Sequence, residues 1–230
     1  KIIFNNQKLK INYKNNNLTV SGSGKFKLDK DFEEIDYFIE KNENNINFKT
    51  KLNIKNTKVE IDKINYKKKD NSKMYLQING ELKSNKNLNI NTFILNEENN
   101  NIKIKNLSLS DTNQLMKVEK AFFNYLDTEN IKNNYNIKKV QGHNYLINGS
   151  SFNANSLISN LLNSNDKKEN NLFEDSISID LNLDKVYFDK IYFVKDLNGK
   201  LDIYNNKVVD ADIFAFFNNS KNIKFTIKTN

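Results

Sequence analysis

Apolar and polar residues alternate along most of this 230-residue chain, and this alternation constrains its fold more than any other feature of the sequence. Successive side chains of a β-strand point to opposite faces of a sheet, so a period of two predicts strands with one apolar face. The clearest stretches are residues 9–13, 18–28, 46–54, 74–82 and 177–188. Such alternation is typical of antiparallel sheets that are wet on one face only. The sequence therefore predicts an all-β protein.

Asparagine-rich clusters separate the alternating stretches, as in "KNNN", "NEENNN" and "DIYNNK". Asparagine tolerates left-handed backbone geometry and can turn a chain that has no proline. The spacing of about 10 to 14 residues predicts a long antiparallel meander of roughly a dozen to fifteen strands. Residues 112–130 fit either pattern, because Leu115, Val118, Phe122 and Tyr125 also have helical spacing. We interpret this segment as a strand.

One stretch departs from the alternation and predicts a single short amphipathic helix. Asn153 or Asn155 could cap its N-terminus, and its apolar residues then lie on one helical stripe. A polar linker, "NSNDKKENN", follows it. The predicted organisation is an antiparallel β segment (1–153), the helix with its linker (154–171) and a second β segment that continues the first (172–230). The residues of the apolar stripe are Leu157, Ile158, Leu161 and Leu162.

The composition excludes several classes of protein. The chain has no cysteine, and so neither a disulfide framework nor a thiolate metal site is possible. Its net charge is +8, which raises the question of an acidic partner, but all 36 basic residues are lysines spread along the polar sides of the strands. Arginine and an aromatic RNA-binding signature are both missing, so we expect no nucleic-acid partner.

The sequence offers no constellation of catalytic residues. His143 is the only histidine, and the chain contains no phosphate-binding glycine motif, no HExxH and no GxSxG. The acidic clusters at 29–36 and 210–212 lack calcium-loop spacing and are expected to be solvated. We therefore predict that the protein is not an enzyme, with no catalytic residue, cofactor or metal site.

The predicted strands carry more apolar surface than one short helix can cover. Either the sheet folds over itself as a sandwich or barrel, or its apolar face stays open as a groove for something apolar. A large exposed apolar face on a protein usually marks a binding site.

The second half of the chain resembles a known family. "YLINGSSFNANSLISNLLN", followed by the strand-like sequence of residues 177–219, resembles the C-terminal repeat unit of AsmA-like envelope proteins of the YhdP and TamB type. The resemblance covers residues 140–230, and Asn206-Lys207 departs from it where the family has a glycine-containing turn. The matching positions are Gly149, Leu157, Leu161, Leu162, Ile177, Ile179, Leu181, Val186, Phe188, Leu197, Gly199, Leu201 and 208–215.

This resemblance implies a long, curved, taco-like β groove in the periplasm of a Gram-negative bacterium. It also implies an inner-membrane anchor, an N-terminal transmembrane helix that this chain does not contain. Such proteins are not enzymes, and they carry phospholipid acyl chains along the groove toward the outer membrane, in outer-membrane biogenesis. Because the chain begins and ends in strand-like sequence, we expect it to be a fragment of the longer polypeptide. Its partner proteins remain unknown.

The predicted groove is lined by aliphatic side chains, with the helix stripe of 157–162 turned toward it. Each buried CH2 contributes about 0.8 kcal/mol, and neighbouring positions along a uniform lining are nearly equal in energy, so a lipid binds without being trapped. The alternative is a structural or adhesive β module of the cell envelope that binds no ligand. The predicted lining residues are Leu76, Ile78, Leu82, Ile177, Ile179, Leu181, Leu183, Leu201 and Ile203.

Overall fold

A computed structural model describes residues 2–28, 31–155, 158, 176–204, 207–217 and 221–229. Fourteen strands form one open sheet, in the order β1-β2-β3-β4-β7-β8-β9-β10-β11-β12-β13-β14-β15-β16, and β5 pairs with β6 separately. The predicted all-β class and the long, mostly antiparallel sheet are confirmed. The strands are β1 Ile3–Lys14, β2 Asn17–Lys27, β3 Glu33–Lys41, β4 Asn45–Ile54, β5 Glu60–Ile61, β6 Tyr66–Lys67, β7 Met74–Lys83, β8 Leu88–Glu97, β9 Asn100–Leu109, β10 Leu115–Leu126, β11 Lys132–Lys139, β12 Asn144–Asn153, β13 Ile177–Tyr187, β14 Phe193–Tyr204, β15 Lys207–Phe216 and β16 Asn222–Lys228.

One pair of strands breaks the predicted meander. β12 and β13 are parallel, with Tyr145 opposite Ile179 and Ile147 opposite Leu181. Parallel neighbours cannot be joined by a tight turn and need a crossover of about a dozen residues or more. Residues 154–176 provide such a connection, so the expectation of a purely antiparallel sheet is wrong at this point.

The ambiguous segment 112–130 contains β10, which confirms its interpretation as a strand. The predicted helix falls largely outside the described residues, which include neither Leu157 nor Leu161 and Leu162. The N–H of Ile158 donates to the carbonyl oxygen of Ala154 at 2.9 Å, which is the spacing of a helical turn. The side chain of Ile158 packs against the hydrophobic core.

Asparagines with positive φ shape both turns and strands. Asn15 and Asn16, with φ of 49° and 59°, form the two-residue hairpin between β1 and β2, as the "KNNN" cluster predicts. Asn6 and Asp196 also have positive φ but lie inside β1 and β14, where the pairing register shifts. Such bulges bend a strand and increase its twist. The register shifts at these two residues therefore mark bulges in β1 and β14.

The connection between β4 and β7, residues 55–73, packs against one end of the sheet, and we call it the cap segment. It contains β5, a short 3-10 helix over Asp62–Ile64, and β6. The ring of Tyr66 meets that of Tyr125 edge to face at 5.9 Å, and the Tyr125 hydroxyl donates to the carbonyl oxygen of Ile64 at 2.7 Å. These contacts place the cap segment over the end of β10.

Candidate apolar binding surface

The strand register joins one residue from each of the fourteen strands into a continuous line across the sheet, which we call the central row. The row contains no Asp, Glu, Lys or His, and its only polar groups are the hydroxyls of Tyr37 and Thr50. Its members, in strand order, are Leu9, Gly22, Tyr37, Thr50, Ile78, Phe93, Ile104, Ala121, Ile137, Ile147, Leu181, Gly199, Ile213 and Phe225.

A second row lies two residues from the central row along each strand, on the side of the cap segment. It runs from β2 to β14. Because residues two apart on a strand point to the same face, both rows lie on one face of the sheet. The aromatic rings in it stack, with Phe123 and Tyr135 separated by 4.7 Å. Its members are Gly24, Ile35, Leu52, Leu76, Leu95, Ile102, Phe123, Tyr135, Gly149, Leu183 and Leu197.

Glycines make room for large side chains in these rows. A Cβ atom on Gly149 would lie 2.7 Å from the Cβ of Tyr135, and one on Gly199 would lie 2.7 Å from the Cα of Ile213. Both distances are too short for a side chain to fit without movement of the neighbouring strand.

Six of the nine predicted lining residues lie in these two rows or in the row beside the central row, and Leu82, Ile177 and Ile203 lie one row farther along the strands. Ile78 and Leu181 belong to the central row, and Leu76 and Leu183 to the second. Ile177 is opposite Ile203 and Ile179 is opposite Leu201, while Leu82 is opposite Leu88 at the far end of β7. Among them Leu183, Ile179 and Ile203 are buried, Leu82 is exposed, and the others are half-buried.

The apolar side chains of the edge strands β1 and β16 are exposed or half-buried, whereas buried ones occur from β2 to β15. Leu95 and Ile102 in β8 and β9 are fully buried and belong to the core cluster. Leu9 in β1 is 56% exposed, and Phe225 in β16 is 50% exposed. The uncovered apolar surface therefore lies mainly on the outer strands.

A buried carboxylate, Glu97, ties the cap segment to the end of β8. It accepts hydrogen bonds from the Tyr66 hydroxyl at 2.6 Å, the Lys69 N–H at 2.7 Å and the Asn100 amide at 3.0 Å, and from the Ser72 hydroxyl. Burial alone would raise the pKa of Glu97, but these hydrogen bonds outweigh it and lower the pKa below its ordinary value. Burial and the neighbouring carboxylate both raise the pKa of Tyr66, which stays a donor.

A second buried carboxylate, Glu33, holds the start of the cap segment. It accepts hydrogen bonds from the N–H groups of Lys55, Asn56 and Thr57 at 2.5–2.9 Å. Burial would raise its pKa, but the three backbone donors lower it below its ordinary value. Glu33 belongs to the acidic cluster 29–36, whose side chains were expected to be solvated. At Glu33 this expectation is wrong, because its carboxylate is buried and accepts hydrogen bonds from backbone N–H groups.

Asp127 organises the turn between β10 and β11 and links it to the start of the predicted helix. Its carboxylate accepts from the amides of Asn133 at 3.0 Å and Asn153 at 2.8 Å. Asn153 in turn accepts from the N–H of Asn155 at 3.1 Å, the geometry of a capping residue, and Glu129 accepts from the Asn155 amide. Asparagines at this end of the sheet therefore act as buried hydrogen-bonding groups.

The burial of Glu33 and Glu97 was not predicted, although the sequence contains a signal for both. Each lies on the apolar side of the alternation in its strand. Glu33 is two residues before Ile35, and Glu97 is two residues after Leu95. An acid at such a position is buried and needs hydrogen-bond partners.

The described residues contain no group of three or more His, Asp or Glu side chains that could hold a metal ion. His143 is exposed in the turn before β12, and Asp212 forms an ion pair with Lys224 at 3.2 Å. No helix among these residues is long and apolar enough to cross a membrane.

A comparison of the chain with protein-family models, with curated proteins and with solved structures finds no match.

Proposed function

We propose that the chain is a segment of a lipid conduit, in which the central row and its neighbours contact phospholipid acyl chains. The observation that carries this proposal is the central row itself, which crosses all fourteen strands of the sheet without a charged side chain. A hydrocarbon chain lying along such a row gains about 0.8 kcal/mol per buried CH2 at every position. It can therefore move from strand to strand without meeting a barrier of charge.

The open form of the sheet supports the same proposal. The sheet is not closed into a barrel, and β1 and β16 are its two edge strands. Side chains of the central row are exposed there, with Leu9 at 56% and Phe225 at 50%. Contiguous exposed apolar surface of this kind usually marks a site for an apolar partner.

The resemblance to AsmA-like proteins supplies the proposed setting. We place the segment in the periplasm of a Gram-negative bacterium, in a longer protein of the YhdP and TamB type anchored in the inner membrane. Its cargo would be phospholipid moving between the inner and outer membranes, within a curved, taco-like groove. The predicted helix would close part of that groove, and the contact of Ile158 with the core supports this position.

A structural or adhesive module of the cell envelope is the second candidate. The full burial of Leu95 and Ile102 beneath neighbouring protein favours it, because these positions have no room for a ligand. A module of this kind would bind no lipid at its exposed rows.

Adjacent residues of β3 offer a matched test of lipid contact. Ile39 is 37% exposed and shares the phase of the apolar rows, whereas Phe38 is 42% exposed and has the opposite phase. We expect Ile39→Glu to reduce co-purifying phospholipid several-fold, because a carboxylate next to the central row is costly to desolvate beside an acyl chain. Phe38→Glu should leave the lipid unchanged. Mass spectrometry of gently purified protein, normalised to protein, measures both.

A photoreactive residue placed at position 39 or 38 provides a second measurement. Lipid adducts are expected at 39 and not at 38. Wild-type protein that carries no lipid, or equal adducts at both positions, would contradict the conduit and favour the structural module.

A further inference from the structure

Three lysines, one on each of β9, β10 and β11, lie side by side on the face of the sheet opposite to the central row. Lys105 is directly opposite Lys120, and Lys120 is directly opposite Lys138. All three side chains are exposed. Neighbouring strands are about 4.8 Å apart, so the three side chains leave the sheet along a line of roughly 10 Å. We call them the lysine row.

The same line continues through β13, β14 and β15 with alternating charge. There Asp180 is opposite Lys200, and Lys200 is opposite Asp212. Positive and negative side chains therefore alternate on β13, β14 and β15, whereas the corresponding positions of β9, β10 and β11 are all positive. The chain has 28 acidic residues, and the lysine row lacks an acid at each of its three positions.

The lysine row has no compensating partner within the described residues. No described acid lies within ion-pair distance of Lys105, Lys120 or Lys138, and the nearby Glu119 pairs with Lys117 at 3.1 Å. Like charges directly opposite each other on neighbouring strands destabilise a sheet. A repulsive row of this kind costs stability unless an anion binds to it.

We propose that the lysine row binds a ligand with two or more adjacent phosphate groups. Ammonium groups attract phosphate as compact point charges, and the row presents one ammonium group per strand to successive phosphates. Lys103, which is exposed and shares the phase of Lys105, adds a fourth positive charge. Asn136 on β11, opposite Phe122, adds an amide donor beside the row. The phosphates could belong to a free polyphosphate or to clustered lipid headgroups, and this site does not depend on the proposed lipid conduit.

Binding of inorganic tripolyphosphate, measured by calorimetry, tests the proposal. We expect a triple variant, Lys105→Gln with Lys120→Gln and Lys138→Gln, to bind about tenfold more weakly than the wild type. The control triple variant has the same loss of charge at exposed lysines that already have acidic partners, and its affinity should stay within about twofold. The control substitutions are Lys67→Gln, Lys69→Gln and Lys224→Gln.

A flotation assay with phosphatidylcholine vesicles containing phosphatidylglycerol distinguishes the two sources. Binding to vesicles that is lost in the lysine-row variant and kept in the control supports a headgroup, and row-dependent binding of tripolyphosphate alone supports a free polyphosphate. Equal weakening in the two triple variants, or no binding of either probe by the wild type, would overturn the proposal.

The premise of repulsion has its own test in stability. Lys120→Glu converts two repulsive pairs into attractive ones and should raise the melting temperature by about 2 °C. Lys200→Glu replaces the attraction of Lys200 to Asp180 and Asp212 by repulsion and should lower the melting temperature by a similar amount. A lower melting temperature for Lys120→Glu would show that the row is not repulsive and would remove the argument for a bound anion.

Discussion

Glu97→Gln is expected to lower the free energy of unfolding by about 3 kcal/mol. The two carboxylate oxygens of Glu97 accept from four donors, and a glutamine has only one acceptor oxygen. Its amide group would face two donors, either those of Tyr66 and Asn100 or those of Lys69 and Ser72, and these would lose their partner in a buried site. Urea unfolding followed by circular dichroism measures the change.

The next residue provides the control for this substitution. Glu98 is exposed and forms a surface ion pair with Lys69 at 3.2 Å. Glu98→Gln removes the same charge from the same turn, and we expect a change within about 0.5 kcal/mol. Similar losses in the two variants would mean that Glu97 acts through general electrostatics and does not anchor the cap segment.

Acid is expected to release the cap segment before the rest of the sheet unfolds. Glu33 holds its start and Glu97 holds its end, and the pKa of each carboxyl is lower in the folded protein than the ordinary 4.5. A group of this kind stabilises the fold at pH values above its unfolded-state pKa, and the stabilisation is lost as the pH falls through the folded-state pKa. A pKa that is lower by one in the folded protein contributes about 1.4 kcal/mol to the free energy of unfolding. This contribution begins to fall below about pH 4.5 and falls further at lower pH.

Hydrogen exchange, corrected for the intrinsic effect of pH, measures this release. The N–H groups of Thr57 and Lys69 should lose protection in acid before those of the paired strands β13 and β14, where neither carboxylate makes a contact. In a Glu33→Gln variant the single remaining acceptor oxygen can still serve Asn56 and Thr57, so the N–H of Lys55, which loses its acceptor, should already exchange faster at neutral pH. Uniform loss of protection across the sheet would show that the two carboxylates do not control the cap segment separately.

The alternating pattern predicts the strands well because it reports directly on which side chains face apolar surroundings. β4, β7 and β13 begin and end within a few residues of the stretches that predict them. The parallel pairing of β12 with β13 was missed, because a strand has the same alternation whichever direction its neighbour runs. The bulges at Asn6 and Asp196 were missed because asparagine and aspartate inside a strand resemble ordinary polar positions until φ is known.

The alternation in the sequence is enough to predict which residues line the candidate surface. It does not predict how exposed each of them is. Ile179 and Leu181 have identical patterns in the sequence, yet Ile179 is buried and Leu181 is half-buried. The difference depends on what packs over each residue, which is a long-range property. The lysine run at residues 67–69 shows the same limit, because the side chain of Lys68 is buried and its ammonium group donates to the carbonyl oxygens of Lys55 and Lys69.

The strand order gives the sheet the properties of a one-dimensional array. In the sheet each strand makes its extensive backbone contacts only with the strands beside it. In such arrays stability is nearly a sum of local terms, so the effects of substitutions several strands apart should add. Inserting or deleting a hairpin would change the length of the sheet by roughly 10 Å, two strand spacings, and leave distant strands as they are. Evolution could therefore adjust the span of this protein by duplicating hairpins.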